Sequence, residues 1–520
     1  MHSSVMITSE LLNQVGLPAV LEACHCRTPQ GSQLKNAVRF YDNATRSDLE
    51  QELEAISRLT SLIKQKHPQL IEALTQLTRL RELRGTLSRL EKGGLLDDTE
   101  FFELKGALAV FSRLSKLSAV LEAASVKFED TADAAALLDP GNKNNPAFHI
   151  YDDYSPALTE IRARKKDLER QISQSKDAPR KTLLAKRALV IAEEDQEEKR
   201  IRWELGAKLS KWLPQMQHNV DACGLLDFRL AKADLAVRWN GSLPILVKTA
   251  QPASLVNVRH PLIAAFLEKH GMEFTPISIE LRKGTTVLSG ANMGGKSVAL
   301  KTIFLALLMI QLGYFPVCES LQTPLYDFFA FESDQEGDVY RGLSSFGLEA
   351  VKIRDHYRRS KTQQGFIVMD EPCKGTNPAE ATAIVQALCK SYGTSDSTFF
   401  IASHYPVSTE PGIRFYQVRG IRPEALAQLP AYHHEQQLIG EDEQKGPTTG
   451  IAMLARLDHR EDLIRVRRIQ DLMDYRLEEI DDAHSIPSSA IKIAELLGVD
   501  EALLQEMKTA WQEEQWQPLD

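Results

Sequence analysis

Gly290, Gly295, Lys296 and Ser297 are spaced as Gly-x-x-x-x-Gly-Lys-Ser, a pattern able to hold the phosphates of a nucleotide. The glycines let backbone N–H groups turn inward around phosphate oxygens. The Lys296 ammonium can reach the β and γ phosphates, and the Ser297 hydroxyl can ligate Mg²⁺. The loop as a whole, Gly290, Ala291, Asn292, Met293, Gly294, Gly295, Lys296, Ser297 and Val298, is a candidate nucleotide-binding segment. A second chemical group follows in Gly365-Phe-Ile-Val-Met-Asp370-Glu371, an apolar run ending in two carboxylates. There the first acid, Asp370, can help hold Mg²⁺ through water, and the second, Glu371, can polarise an attacking water. A third run, Ser397-Thr-Phe-Phe-Ile-Ala-Ser-His404, ends in a histidine that could reach a γ phosphate.

Each of these groups needs an element to aim it. The apolar segment before Gly290 reads as a strand, and Val298 to Leu312 as a helix whose positive N-terminal end points at the anion. Alternation of short apolar runs with helical patterns from 245 to 404 predicts an α/β sheet domain. Ser344-Ser345-Phe346 reads as a helix N-cap, with Glu349 in the first turn. Upstream, apolar residues three and four apart from about Ser47 to Leu121 predict helices, and Asp139 to Pro146 is a turn cluster. Residues 156–217 predict a long helical hairpin. The expected organisation is a helical domain over 1–240, an α/β domain over 245–480 and a closing helical segment over 481–520, an α + α/β fold class.

The 520 residues, 43% hydrophobic and 26% charged, have an ordinary globular composition with room for several cores. A formal net charge of −9 argues against coating nucleic acid non-specifically. Residues 162–187, however, carry a local excess of seven positive charges. That stretch reads either as a solvated helix face or as a DNA-contacting arm, and the lack of interleaved aromatic residues weakens a single-strand stacking role. Six scattered cysteines indicate reduced thiols in a cytoplasmic protein, and Cys24-His25-Cys26 has no second ligand pair at zinc-finger spacing. The N-terminus lacks the pattern of a secretion signal, and the longest apolar run, Ile303 to Ile310, is far short of the ~20 residues of a membrane span.

In order and spacing, several of these runs resemble the ATPase domain of MutS-type proteins. They are Gly290-Ala-Asn-Met-Gly-Gly-Lys-Ser297, Leu312-Gly-Tyr-Phe-Pro-Val317, Ser344-Ser-Phe-Gly-Leu-Glu349, Met369-Asp-Glu-Pro-Cys-Lys-Gly-Thr376 and Ala402-Ser-His-Tyr405. Val258-Arg-His-Pro261 is similar to the start of that domain. Cys26-Arg-Thr-Pro-Gln-Gly31 is similar to the start of the family's helical core domain.

The resemblance implies a P-loop, ABC-like ATPase domain after a helical core and lever, with ATP and Mg²⁺ as cofactors. It implies that Lys296, Ser297 and Asn292 line the nucleotide and that Asp370 and Glu371 serve Mg²⁺ and water. Phe274 matches the aromatic that stacks on adenine, and Ser344 and Ser345 match a signature approaching the ATP of a partner subunit. The expected assembly is therefore a homodimer, or a heterodimer with a related subunit, with 481–520 as a dimerisation segment.

The family's mismatch sensors begin with a mismatch-reading domain and a connector that have no counterpart in this sequence. The nearest echo of their Phe-x-Glu, Phe101-Phe-Glu103, sits in a helical core segment. The Gly-Thr-Asn-Pro378 run and the tail through Gly498 resemble a truncated branch associated with reactivating cobalamin- and pyridoxal-phosphate-dependent aminomutases. Two loads for the switch follow, DNA or a protein partner.

Overall fold

Runs such as Phe366-Ile-Val-Met and Thr398-Phe-Phe-Ile-Ala are too continuously apolar for a strand with one wet face, and they require cover on both sides. The computed structural model describes residues 9–141, 147–176, 178–290, 295–333, 345–421, 473–481, 499 and 501–514. It divides into two compact units. One comprises Ala23–Val38 and Glu54–Val237, the other Met1–Glu22, Arg39–Leu53 and Arg238–Asp520.

The first unit is helical. Its opening helix, α1 (Pro29–Asn36), starts where Thr28 can cap it and Pro29 can occupy the first turn without losing a hydrogen bond. Thr28 Oγ1 accepts from Gly31 N at 2.9 Å and donates to Asp227 Oδ2 at 2.7 Å. The same carboxylate accepts from the backbone N–H groups of Arg27 and Thr28. Asp227 is fully buried, and a Cβ on Gly31 would lie 2.4 Å from its Oδ2, so this approach needs glycine.

Next, α2 (Asp98–Leu114) begins at a reciprocal cap between Asp97 and Glu100. Phe101 on α2 is fully buried and stacks on Phe148, which makes the Phe-x-Glu echo a core element. Ser155 caps α3 (Pro156–Gln174), and α3 folds back along α4 (Ala178–Leu209) as an antiparallel pair. Ion pairs cross this pair from Arg162 to Glu194 and Glu198, from Arg164 to Glu193, from Lys165 to Glu194 and from Arg187 to Glu169. α5 (Leu213–Arg238) carries Asp227 back to α1.

The second unit holds two sheets. In chain order the strands are β1 (Ile245–Leu246), β2 (Ala253–Val258), β3 (Ile277–Leu281), β4 (Gly284–Ser289), β5 (Ser320–Thr323), β6 (Phe328–Ser333), β7 (Gly365–Asp370), β8 (Thr398–Ala402), β9 (Ile413–Ile421) and β10 (Met473–Ile480). A four-stranded sheet runs β1-β5-β2-β3 and a six-stranded sheet runs β10-β9-β4-β8-β7-β6. The larger sheet is parallel except at β10, which is antiparallel to β9.

Every residue of β4, β7 and β8 is buried. The helices of this unit that flank the strands include α6 (Pro261–Lys269), α7 (Lys296–Gln311), α8 (Ser345–Ser360) and α9 (Pro378–Gly393). α7 is apolar nearly all round, because its Phe304 meets Phe329, Phe331 and Phe366 while Ala299, Leu300 and Ile303 are also buried. At its end the Gln311 side chain donates to the carbonyls of Tyr41 and Tyr326 and accepts from Tyr326 N, all within 2.8 Å.

Candidate active site

Parallel registry brings the chemical groups together. Leu288 and Asp370 both pair with Ala402, so β4, β7 and β8 finish level with one another. The next residues out of those strands begin the Gly290 loop, supply Glu371 and lead to His404. Side-by-side carboxyl ends of parallel strands are where an open α/β sheet can gather groups from distant parts of the chain.

Gly290 has φ +132° and Gly295 has φ +82°, backbone conformations that favour glycine, and Gly295 caps α7. Ala291, Asn292, Met293, Gly294 and Ser344 lie outside the described residues, and Ser345 is described only in its backbone. Lys296 is 4% exposed; its Nζ donates to Gly290 O at 2.8 Å and lies 3.4 Å from Glu371 Oε1. Burial pushes the Lys296 ammonium below its ordinary pKa, against the pull of Glu371. Ser297 and Val298 occupy the first turn of α7, with Ser297 exposed.

Glu371 sits in the left-handed region, φ +52°, and its N–H donates to Ala402 O at 2.9 Å. Its carboxylate is gripped from both ends: His404 Nε2 is 2.5 Å from Oε1, and Lys374 Nζ is 2.5 Å from Oε2. The hydrogen bond from His404, followed by those from Lys374 and the charge of Lys296, holds this carboxyl well below the usual carboxylate range despite its partial burial.

Asp370 behaves oppositely. Burial, reinforced by the neighbouring Glu371 charge, pushes its carboxyl up, while a hydrogen bond with Ser297 pulls it down. Its Oδ1 is buried and has no hydrogen-bond partner among the described residues. An orphaned carboxylate oxygen beside a serine hydroxyl fits a hard divalent cation such as Mg²⁺, which takes oxygen ligands and relieves the cost of the buried charge. Phe274 is buried, 6% exposed.

Several groups at the site escaped the sequence reading. Lys374 appeared there only as part of a quoted motif, although its spacing of three residues from Glu371 was a visible signal. Tyr475 was also missed; its ring lies where a Cβ on Gly295 would approach Cδ1 to 2.9 Å. It arrives through the β9–β10 pairing, so no local pattern could have announced it. Glu349, noted only as a first-turn acid, accepts from Cys373 N at 2.9 Å. Glu332, at the end of β6, holds Lys352 at 2.9 Å and His356 at 2.8 Å.

Residues 286–440 match the family model described as MutS domain V. The chain carries a MutS domain V. Endonuclease MutS2 of Levilactobacillus brevis is 32% identical over 215 residues, 41% of this chain and 27% of that protein. Endonuclease MutS2 of Thermotoga neapolitana is 29% identical over 219 residues, 42% and 28% of the two chains. Endonuclease MutS2 of Listeria monocytogenes serotype 4a is 30% identical over 226 residues, 42% and 27%. The matched stretch therefore spans little more than a quarter of the length of these curated relatives. Among the described residues no helix is long and apolar enough to cross a membrane.

Proposed function

We propose that this chain is a Mg²⁺-dependent ATPase whose ATP-bound state is a dimer and which acts on DNA. The observation that carries this reading is the meeting of Lys296, Asp370, Glu371 and His404 at the level ends of β4, β7 and β8. On binding ATP, Lys296 exchanges Gly290 O and Glu371 for β and γ phosphate oxygens. Ser297 and Asp370 would hold Mg²⁺, which would supply charge neutralisation at the phosphates. Glu371, freed from Lys296, orients the attacking water, and His404 turns from Glu371 toward the γ phosphate. The loop of Asn292 with Ala291, Met293 and Gly294 wraps the phosphates, Phe274 stacks on the base, and Ser344 and Ser345 reach the ATP of a partner subunit. ATP thus joins two domains, and hydrolysis parts them.

The test is Glu371→Gln, measured by phosphate release and by size-exclusion chromatography with ATP. Turnover is expected to fall at least a hundredfold while an ATP-bound dimer accumulates; turnover at the wild-type rate would remove Glu371 from the reaction. A second reading, in which the same switch remodels a protein partner such as a cobalamin- and pyridoxal-phosphate-dependent aminomutase, is favoured by one observation. Five of the hairpin's basic residues, Arg162, Arg164, Lys165, Arg170 and Arg187, are already paired with carboxylates.

A further inference from the structure

The groups on one face of α8 point to a role that the motif reading does not contain. Glu349, Lys352 and His356 are spaced i, i+3 and i+7, so they share a stripe of the helix. All three make polar contacts at the carboxyl ends of β6 and β7. Glu349 accepts the backbone N–H of Cys373 at 2.9 Å, while Lys352 and His356 grip Glu332. Ile353 and Tyr357 of the same helix pack against the core cluster that contains Ile367, Met369 and Phe399. The helix is therefore clipped to the two strands by both polar and apolar contacts.

The peptide that Glu349 holds is a demanding one. Glu371 and Cys373 both have positive φ, +52° and +67°, in a turn of non-glycine residues. Each such residue is strained and persists only where surrounding contacts over-determine it. Besides the local bond from Thr376 N to Cys373 O, two contacts from distant residues hold this turn by its backbone among the described residues: Glu371 N to Ala402 O, and Cys373 N to Glu349 Oε1. The second comes from a helix whose first residue is Ser345. Cys373 is fully buried, so its N–H would otherwise lack a partner in a dry turn.

We propose that Glu349 is a positioning residue for Glu371: by accepting the Cys373 N–H it fixes the strained turn that aims the Glu371 carboxylate, and it ties that aim to the Ser345 end of α8. The inference rests on the ATPase reading above. Glu349 does not touch the nucleotide in this account, so its loss leaves nucleotide binding intact and lowers the chemical rate.

The test compares the wild-type chain with Glu349→Ala, Glu349→Gln and Glu349→Asp for kcat, KM and binding of a fluorescent ATP analogue, with thermal melts as a folding check. Glu349→Ala and the shortened Glu349→Asp are expected to lower kcat at least tenfold, with KM and analogue affinity within twofold of wild type. Glu349→Gln keeps an acceptor oxygen at the same reach and is expected to retain most of kcat. Wild-type turnover in Glu349→Asp, or a rise in KM with kcat unchanged, would overturn the inference even if Glu349→Ala fails to fold. A wild-type chain with no turnover would overturn the ATPase reading and this inference together.

Discussion

His260 illustrates how one buried side chain can set a pH limit. It belongs to the Arg-His-Pro run before α6, caps that helix by accepting from Ile263 N, and is 4% exposed. Burial depresses its pKa from 6.5 to about 4, with the nearby Lys301 charge adding to the effect. In the folded chain His260 is therefore neutral where the unfolded chain would protonate it. Its folded pKa is the lower of the two, so stability is intact above about pH 6.5 and is lost as pH falls from there toward 4. The shift corresponds to about 3 kcal/mol across that window. Chemical denaturation of wild type and His260→Asn between pH 7 and 4 tests this. The asparagine keeps a capping oxygen but cannot titrate, so its acid-side loss of stability is expected to be smaller.

The placing of α1 and the folding back of α3 on α4 rest on different contacts. α1 depends on a single buried acceptor, and Gly31→Ala would drive a methyl into Asp227, displacing a carboxylate that holds three donors. We expect a loss of about 2–4 kcal/mol of stability, read by urea unfolding, because buried donors are left unpaired. The Arg-Thr-x-x-Gly spacing was legible in the sequence, but its cause was not: Asp227 lies about two hundred residues away and nothing near it marks it as the partner.

In the hairpin, helical periodicity and the break near Ser173 to Pro179 were readable, and α3 and α4 occupy that region. Local charge counting was misleading about what the basic residues face, since their carboxylate partners Glu193, Glu194 and Glu198 lie beyond the counted window. Arg162, paired with three carboxylates and only 25% exposed, is the residue of this network to probe. Arg162→Ala should cost about 1–3 kcal/mol by urea unfolding, whereas Arg170→Ala, on the exposed surface, should change stability by less than about 0.5 kcal/mol.

For the whole molecule the open choice is the load. Lys166, Lys176, Arg180, Lys181 and Lys186 are exposed and take part in none of the described ion pairs. If they carry DNA, replacing all five with glutamine should flatten the dependence of log Kd on log salt by up to about 4.5, at ~0.9 per phosphate contact. Duplex and branched DNA titrations at low salt measure it, and an unchanged slope would turn attention to a protein partner. From sequence alone one could read the two carboxylates at a strand end and the alternation that makes an α/β sheet, because each is local and period or spacing exposes it. Only the tertiary structure decided that β4, β7 and β8 end level, that His404 grips Glu371 from a neighbouring strand end, and that Glu349 holds its turn. Those facts depend on strand registry and on contacts between residues far apart in the chain, which one-dimensional spacing does not encode.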